Sequence, residues 1–407
     1  MRRDQPYGRP SIARRGSRTA ARSLIVLIIV LIVAYLAAWW YAEGRLEAAF
    51  RQQEAAFRKA GWTVTHGATA RGTSPLLARF SVADLTLTPP DRGMPSPSIA
   101  FPNVDLDVHP GSPFTLDVGL PLAWTVAIPA GPTFTIRFAT LRSSYRFDPN
   151  ALFHDAPDPL RTADVSFTDM RVDSGGTNFT LVSIKALTVH GSRDPAAGKT
   201  ATALSIHENI EGLALSPIFV TLGNLPFDGK LASLAFDLNL SGPQIPAFSE
   251  FGQPLTAPRP NDEAADPLQS LQTLWQALGP QVHDWAKAGG HGTYKIALAL
   301  GPLDAHDSGD FGFDPQTQPV GHSTLTADGL DRFFGDLGTV YPDAVGMIST
   351  IAAETAPYMT KGPKGGQRFK AGFALAGGVL TANGKKVANV PKLDWPRPVP
   401  AMTHQTH

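Results

Sequence analysis

The chain has 407 residues, no cysteine, and 35 basic and 35 acidic side chains, so its formal net charge is zero. The lack of cysteine excludes disulfide bonds, thiolate metal sites and cysteine nucleophiles. The zero charge is an average, because residues 1–22 carry seven arginines and one aspartate, which leaves 28 basic and 34 acidic residues elsewhere. This acidic remainder lacks the basic surface that nucleic-acid binding requires, so we expect no nucleic-acid partner.

The first 42 residues have the composition of a membrane anchor. Residues 1–22 form a predicted basic cytoplasmic tail, and residues 23–42 contain no charged side chain. Twenty helical residues extend about 30 Å, the thickness of a bilayer's hydrocarbon core. Trp39, Trp40 and Tyr41 lie at the far end, where aromatic rings prefer the membrane–water interface. Because basic flanks stay in the cytoplasm, we predict a single transmembrane helix in the inner (cytoplasmic) membrane, with the rest of the chain periplasmic.

A cleaved secretory signal is the alternative to this anchor. Such a signal has an apolar region of about 7–15 residues, followed by a cleavage site of small residues. Residues 24–38 reach that upper limit, but no A-x-A pattern precedes Trp39. We therefore favour a retained anchor, and cleavage stays open.

Residues 43–60 are predicted to form a stalk helix. Leu46, Phe50 and Phe57 lie on one stripe of the helix, with charged side chains around the rest, and Gly61 is well placed to end it. Because only Gly44 interrupts the pattern, we expect the stalk to continue the anchor. The apolar stripe either docks on the following domain, which we favour, or mediates self-association.

Residues 61–245 are predicted to be β-rich. Between residues 114 and 128, apolar side chains occupy eight alternating positions, which places them on one face of a strand. Gly119 and Pro121 are expected to bend or split this run. Six of its residues form the possible hydrophobic binding face: Phe114, Leu116, Val118, Trp124, Val126 and Ile128.

Two neighbouring runs change phase partway along. Phe80 and Val82 give way to Leu85 and Leu87, and a similar change follows Phe101. A β-bulge re-aims side chains in this way and increases the twist of a sheet. The predicted fold is therefore α+β and β-dominated, a curved, bulged and mostly antiparallel sheet with a few accessory helices, preceded by a single transmembrane helix.

The second half is predicted to mix helices and strands. Residues 246–292 comprise a linker and an amphipathic helix, in which Asp266 is a candidate cap and Gly279-Pro280 is expected to kink or divide the helix. Residues 293–390 complete the domain, with short helices near 328–337 and 342–355 and a closing hairpin around Gly377-Gly378. Residues 391–407 carry four prolines without periodicity and are predicted to be disordered.

Several short motifs resemble those of a known family. The resemblance covers residues 37–87 best and reappears near the C-terminus. It is carried by Trp40-Tyr41, Leu46-Glu47-Ala48-Ala49, Gly61-Trp62-Thr63-Val64, Gly72-Thr73-Ser74-Pro75, Asp84-Leu85-Thr86-Leu87 and the later run Gly377–Gly384. These motifs resemble the DUF2125 family of bacterial envelope proteins. The resemblance implies an N-terminal membrane segment, a short helix and a long β-rich region, and it implies no activity and no catalytic residue.

The polar residues do not form a recognisable catalytic or metal-binding motif. The eleven histidines lack the spacing of a zinc protease. A predicted acidic loop holds Asp304, His306, Asp307, Asp310 and Asp314, but its spacing departs from that of a calcium loop, and a solvated loop is favoured. We therefore predict no catalytic residue, no metal ligand and no cofactor.

Three functions are compatible with this sequence. We favour a non-catalytic, membrane-anchored binding protein for a hydrophobic, lipid-like ligand or an envelope partner, because apolar strand faces dominate the chain. The first alternative is an envelope hydrolase acting on a lipid or cell-wall substrate, with carboxylates or His306 and Asp307 assembled in the fold. The second is a structural scaffold that self-associates through the stalk. Ligand identity, oligomeric state and the closure of the sheet stay open.

Overall fold

The structure of the protein is a computed structural model that describes residues 17–91, 96–152, 159–175, 179–243, 267–362 and 367–396. Its α-helices are α1 (Ser17–Lys59), α2 (Pro217–Gly223), α3 (Pro267–Lys287), α4 (Leu330–Val340) and α5 (Val345–Thr355). The strands of the first half are β1 (Thr63–Thr65), β2 (Thr69–Arg71), β3 (Ala78–Thr88), β4 (Ser98–Val108), β5 (Thr115–Gly119), β6 (Ala123–Ala127), β7 (Thr133–Arg137), β8 (Thr140–Phe147), β9 (Leu160–Ser174) and β10 (Thr180–Arg193). The remaining strands are β11 (Thr202–Leu215), β12 (Lys230–Ser241), β13 (His291–Leu300), β14 (Leu303–Phe313), β15 (Pro319–Asp328), β16 (Met359–Lys361), β17 (Gln367–Ala376), β18 (Val379–Ala382) and β19 (Lys385–Asn389).

Helix α1 joins the predicted span and stalk without a break. Its 43 residues extend about 65 Å at 1.5 Å per residue. The helix is long and apolar enough to cross a membrane, and its side chains from Leu27 to Val33 are all exposed. The predicted apolar span and the stalk segment therefore form one continuous helix.

The strands form one large antiparallel sheet. Strands β1 and β2 pair with β3, β3 pairs with β4, and β4 pairs with both β5 and β6. These continue through β8 and β7 onto β9, from which β10 to β15 follow in sequence order. Strand β17 then pairs with β15, β16 and β18, and β19 forms the last edge. Register shifts interrupt several of these pairings, so the predicted β-dominated, bulged and antiparallel fold is confirmed.

Among the described residues, the sheet stays open. Within the described residues, no pairing connects β19 with β1, β2 or β3. The sheet is therefore not a closed barrel in the part of the chain that the structure describes.

Two breaks in strand periodicity coincide with residues in the left-handed conformation. Asp84 has φ 49° at the point where Val82 gives way to Leu85, while the β3–β4 pairing continues without a register shift. Gly212 has φ 63°, and a Cβ there would lie 2.8 Å from the Cβ of Lys185. Glycine tolerates both conditions because it has no side chain. After each of these residues, the apolar side chains lie on the same face of the sheet as the apolar side chains before it.

Three buried clusters lie beneath helices. The largest contains Leu46 of α1 with Phe80, Val82 and Val104 of the sheet, and Phe50 and Phe57 of α1 pack against it. A second cluster surrounds Trp285 of α3, and a third places residues of α4 against β14, β15 and β17. The apolar stripe of the stalk therefore packs on the following domain.

In the second half, the helices follow the prediction, and one predicted loop is a strand. Helix α3 continues through Pro280 without being divided. Helix α4 begins at Leu330, after Gly329 with φ 76°, and the candidate cap Asp266 lies outside the described residues. The predicted acidic loop is wrong, because residues 303–313 form strand β14 in register with β13 and β15.

Part of the predicted disordered tail is docked. Leu393 exchanges two hydrogen bonds with the side chain of Gln318, and Trp395 stacks on His283 with ring centroids 4.7 Å apart. The Trp395 indole also donates to the carbonyl of Thr317 at 3.2 Å. Disorder is therefore the wrong description for residues 391–396, and residues 397–407 lie outside the described part of the chain.

Candidate binding surface

An apolar row crosses most of the sheet in register. Each member lies directly opposite the next on the neighbouring strand, from β8 to β17. We call these residues the apolar row: Leu141, Phe167, Leu187, Ile210, Leu234, Leu298, Ala305, Ala327 and Phe369. Opposed side chains on one face of an antiparallel pair contact each other, so the row forms a continuous apolar track.

The neighbouring position on each strand is polar or small. Ser166, Thr188, Asn209, Ala235 and Ala297 form a parallel line, also in direct register. Because successive side chains of a strand point to opposite faces, the sheet has one apolar and one polar face in this region.

The middle of the apolar row is less covered than its far end. Phe167, Leu187, Ile210 and Leu234 are all partly exposed, whereas Phe369 at the far end is 6% exposed and lies in the cluster against α4. The four middle residues belong to none of the three buried clusters. Large aliphatic and aromatic side chains that remain accessible in a line make a surface suited to an extended apolar ligand.

An aromatic ladder connects this row to the cluster beneath α1. Ring centroids are 5.1 Å apart between Phe101 and Trp124, 4.8 Å between Trp124 and Phe138, and 5.3 Å between Phe138 and Phe167. Phe101 also packs against the α1-covered cluster. A cavity of about 380 Å³ opens beside Phe101 and Trp124. The apolar face therefore runs from the α1 end of the sheet into the row.

The six residues of the predicted hydrophobic face lie in different structural environments. Leu116 and Val118 lie on β5 and pack against the cluster beneath α1. Trp124 belongs to the aromatic ladder, and Val126 lies opposite Phe134 on β7. Phe114 precedes β5, and Ile128 follows β6 with 37% of its surface exposed. Of the six, Trp124 has the most direct connection to the partly exposed row.

The predicted membrane-interface residues also have different environments. Trp40 and Tyr41 are 64% and 63% exposed, whereas Trp39 is partly buried and packs against the α1-covered cluster. Its indole donates to the carbonyl of Leu77 at 3.2 Å.

One polar pair interrupts the apolar face near the row. The hydroxyl of Tyr294 donates to Asp307 at 2.9 Å, and Asp307 lies opposite Ile296 and Leu325. Burial, followed by the hydrogen bond to Asp307, raises the pKa of Tyr294, and a hydrogen bond with Ser323 opposes this rise. The pair can supply a hydrogen bond to a polar group of a bound ligand.

The structure separates the two residues that carried the hydrolase alternative. His306 and Asp307 are consecutive in β14, so their side chains project from opposite faces. His306 lies 3.0 Å from Asp304, and both side chains are 61% exposed.

Two further histidine–carboxylate pairs, His190–Asp164 and His207–Asp237, also lie on the polar face and are exposed. Among the described residues, no three metal-ligating side chains come together.

An arginine-lined cavity lies at one end of strands β8 to β11. Its volume is about 250 Å³, and Arg146, Arg161 and Arg193 line it together with Thr162 and Ser192. Arg161 forms an ion pair with Asp148. A hydrogen bond from the amide of Asn150, followed by the hydrogen bond from Arg161, lowers the pKa of the Asp148 carboxyl. Part of the positive charge in this cavity is therefore neutralised within the protein.

Strand patterns are visible in the sequence, but the row itself is not. Leu234 lies in a regular alternation of apolar residues, whereas Leu187 and Ile210 lie near interruptions of the apolar pattern that hide their period. Whether residues of different strands lie in one row depends on the register between the strands, and the sequence of a single strand does not encode that register.

No curated protein and no solved structure matches the chain. A family model does match it, over residues 39–391, which include the second half of α1 and the described strands. Its description is an uncharacterized protein conserved in bacteria, and because the match covers most of the chain, the protein belongs to the DUF2125 family.

Proposed function

We propose that the protein is a non-catalytic, membrane-anchored binding protein whose apolar row accommodates the acyl chain of a lipid-like ligand. The observation that carries this proposal is the line of partly exposed apolar side chains in direct register from Phe167 to Leu298. Antiparallel strands lie about 4.8 Å apart, so five strands provide a track of roughly 20 Å. This length suits an acyl chain in an extended conformation.

The anchor explains why such a surface would lie beside a membrane. Helix α1 crosses the inner membrane in this proposal, with the N-terminus in the cytoplasm and the sheet in the periplasm, as the basic tail favours. Tethering raises the local concentration of the binding surface near its lipid source. The row is also compatible with a second kind of partner, an envelope protein that presents an apolar segment.

Photochemical labelling tests the proposal directly. The full-length protein, reconstituted in vesicles with a diazirine-bearing phospholipid, is irradiated and digested, and labelled peptides are identified by mass spectrometry. We expect labels on peptides of β9 to β12 that contain Phe167, Leu187, Ile210 or Leu234. Labels confined to α1 would contradict binding at the row.

A matched pair of variants provides the control. Leu187→Asn places an amide on the apolar row, whereas Thr188→Asn places the same group on the opposite face of the same strand. We expect a several-fold loss of labelling in β9–β12 for Leu187→Asn and no loss for Thr188→Asn. Equal labelling in the two variants, with thermal unfolding showing both folded, would overturn the proposal.

A further inference from the structure

The loop between β2 and β3, residues 72–77, contacts α1 within its apolar run. The hydroxyl of Tyr35 donates a hydrogen bond to the carbonyl of Pro75. One turn later along the helix, the indole of Trp39 donates to the carbonyl of Leu77 at 3.2 Å. The loop is therefore fixed to the helix at two points, both before the end of the predicted span.

The position of Tyr35 determines the depth of the loop. Tyr35 precedes Ala42, the last residue of the uncharged run, by seven residues, or about 10 Å along the helix axis. The interfacial layer on each side of the hydrocarbon core is roughly 5–8 Å thick. A loop held at the level of Tyr35 therefore lies within the membrane or at its interface, whichever residues of α1 fill the core.

The composition of the loop suits this depth. Residues 72–77 carry no charge, and Leu76 at the tip is 74% exposed. On α1, the residues that follow Tyr35 and Trp39 are also exposed, Leu36 at 41% and Trp40 at 64%. The first charged side chains on either side belong to Arg71, which pairs with Glu47, and Arg79, which pairs with Asp107. Charges at this depth would oppose insertion, and the loop has none.

The two hydrogen bonds reduce the free-energy cost of placing irregular backbone in a membrane. Unpaired carbonyl groups in hydrocarbon cost several kcal/mol each, so loops enter a bilayer only where other groups satisfy them. The carbonyls of Pro75 and Leu77 receive their donors from Tyr35 and Trp39 of the helix itself. The amide of Gly72 pairs with the carbonyl of Arg79 at 2.8 Å, which closes the base of the loop.

We propose that the β2–β3 loop is a second membrane contact, with Leu76 inserted among the lipids of the leaflet that faces the sheet. Together with α1, this contact restricts rotation of the sheet about the anchor and so holds the apolar face at one orientation to the bilayer. The inference rests on the proposed role of α1 as a membrane anchor.

Single cysteines in this cysteine-free chain test the contact. The variants Leu76→Cys, Val33→Cys and Leu222→Cys replace side chains that are 74%, 60% and 80% exposed, so none disturbs a buried core. Each full-length variant is labelled with an environment-sensitive nitrobenzoxadiazole dye and reconstituted in phosphatidylethanolamine–phosphatidylglycerol vesicles. Nitroxide-bearing lipids then measure the contact of each probe with acyl chains.

The three probes separate the possible outcomes. We expect quenching at Val33 and Leu76 to exceed quenching at Leu222 several-fold, with a blue-shifted emission at both. Quenching at Val33 alone would overturn the loop contact and leave the anchor standing. No quenching at Val33 would refute the anchor and the inference together, and equal quenching at Leu76 and Leu222 would show a non-specific association that also contradicts the loop contact.

Discussion

Two regions of the same sheet differ in what covers them. In β3 and β4, Phe80, Val82 and Val104 are between 0% and 7% exposed because α1 packs over them. In β9 and β10, Phe167 and Leu187 have the same chemical character and a similar strand setting, yet both remain partly exposed. The pattern of a strand therefore determines which face is apolar, whereas the burial of that face depends on an element from elsewhere in the chain.

The largest expected effect comes from truncating matched phenylalanines at the two sites. Phe80→Ala should lower the free energy of unfolding by about 3–5 kcal/mol, because the side chain is 2% exposed and leaves a cavity. Phe167→Ala should cost roughly 1–2 kcal/mol, since part of its surface is already accessible to solvent. Denaturant unfolding of the full chain in detergent, followed by tryptophan fluorescence, measures both values.

This pair also tests whether the apolar row is a covered core. Equal losses of stability for Phe80→Ala and Phe167→Ala would show that something buries Phe167 in solution. In that event, the apolar row would be a covered core and not a binding surface.

A smaller effect is expected at the docked C-terminal segment. Trp395 contacts Trp275, His283 and Phe313, with ring centroids 4.7–5.9 Å apart, so it joins α3 to β14. Trp395→Ala should lower the free energy of unfolding by about 2 kcal/mol, through lost packing and a lost hydrogen bond to Thr317. Hydrogen exchange should show faster exchange in α3 and unchanged exchange in α1. Unchanged exchange in α3 would mean that the segment does not hold that helix.

Much of this architecture could be predicted from the sequence, and the failures have physical reasons. The apolar first part of α1, the stalk and the strand near Trp124 carry strong patterns of charge and periodicity. Residues 303–313 were mistaken for a loop, because their many aspartates and glycines obscure an alternation that only the pairing with β13 and β15 completes. The docking of Trp395 depends on contacts with residues more than 70 positions away, which local composition does not encode.

The candidate site was predictable only in part. Trp124 was identified from its alternating run, and it belongs to the aromatic ladder that leads into the row. Leu116 and Val118 lie in the same run but pack against the α1-covered cluster. The rest of the row depends on inter-strand register, which a hydrophobic pattern restrains but does not specify.

The smallest expected effect concerns a buried carboxyl in the covered end. Glu43 of α1 is 1% exposed, and its Oε1 atom has no hydrogen-bond partner among the described residues. Burial raises the pKa of Glu43 above its ordinary value of 4.5, although the amides of Arg79 and Gly72 and the charge of Arg71 offset part of the rise. None of the residues of the apolar row carries a carboxyl group.

The pH dependence follows from the direction of this shift. Because the folded-state pKa is raised, the stabilisation linked to Glu43 is fully present below pH 4.5 and is lost as the pH rises through the folded-state pKa. Glu43→Gln keeps the shape and cannot ionise. Its stability should match that of the parent below pH 4.5 and exceed it at neutral pH by about 1 kcal/mol or less.

Unfolding of the two proteins by denaturant at several pH values between 4 and 8 measures the difference. A variant that is less stable than the parent at neutral pH would mean that the ionised carboxylate is held by Arg71 and the nearby amides more strongly than burial opposes it. In that event the covered end would owe part of its stability to a buried charge, and the contrast with the open row would be electrostatic as well as steric.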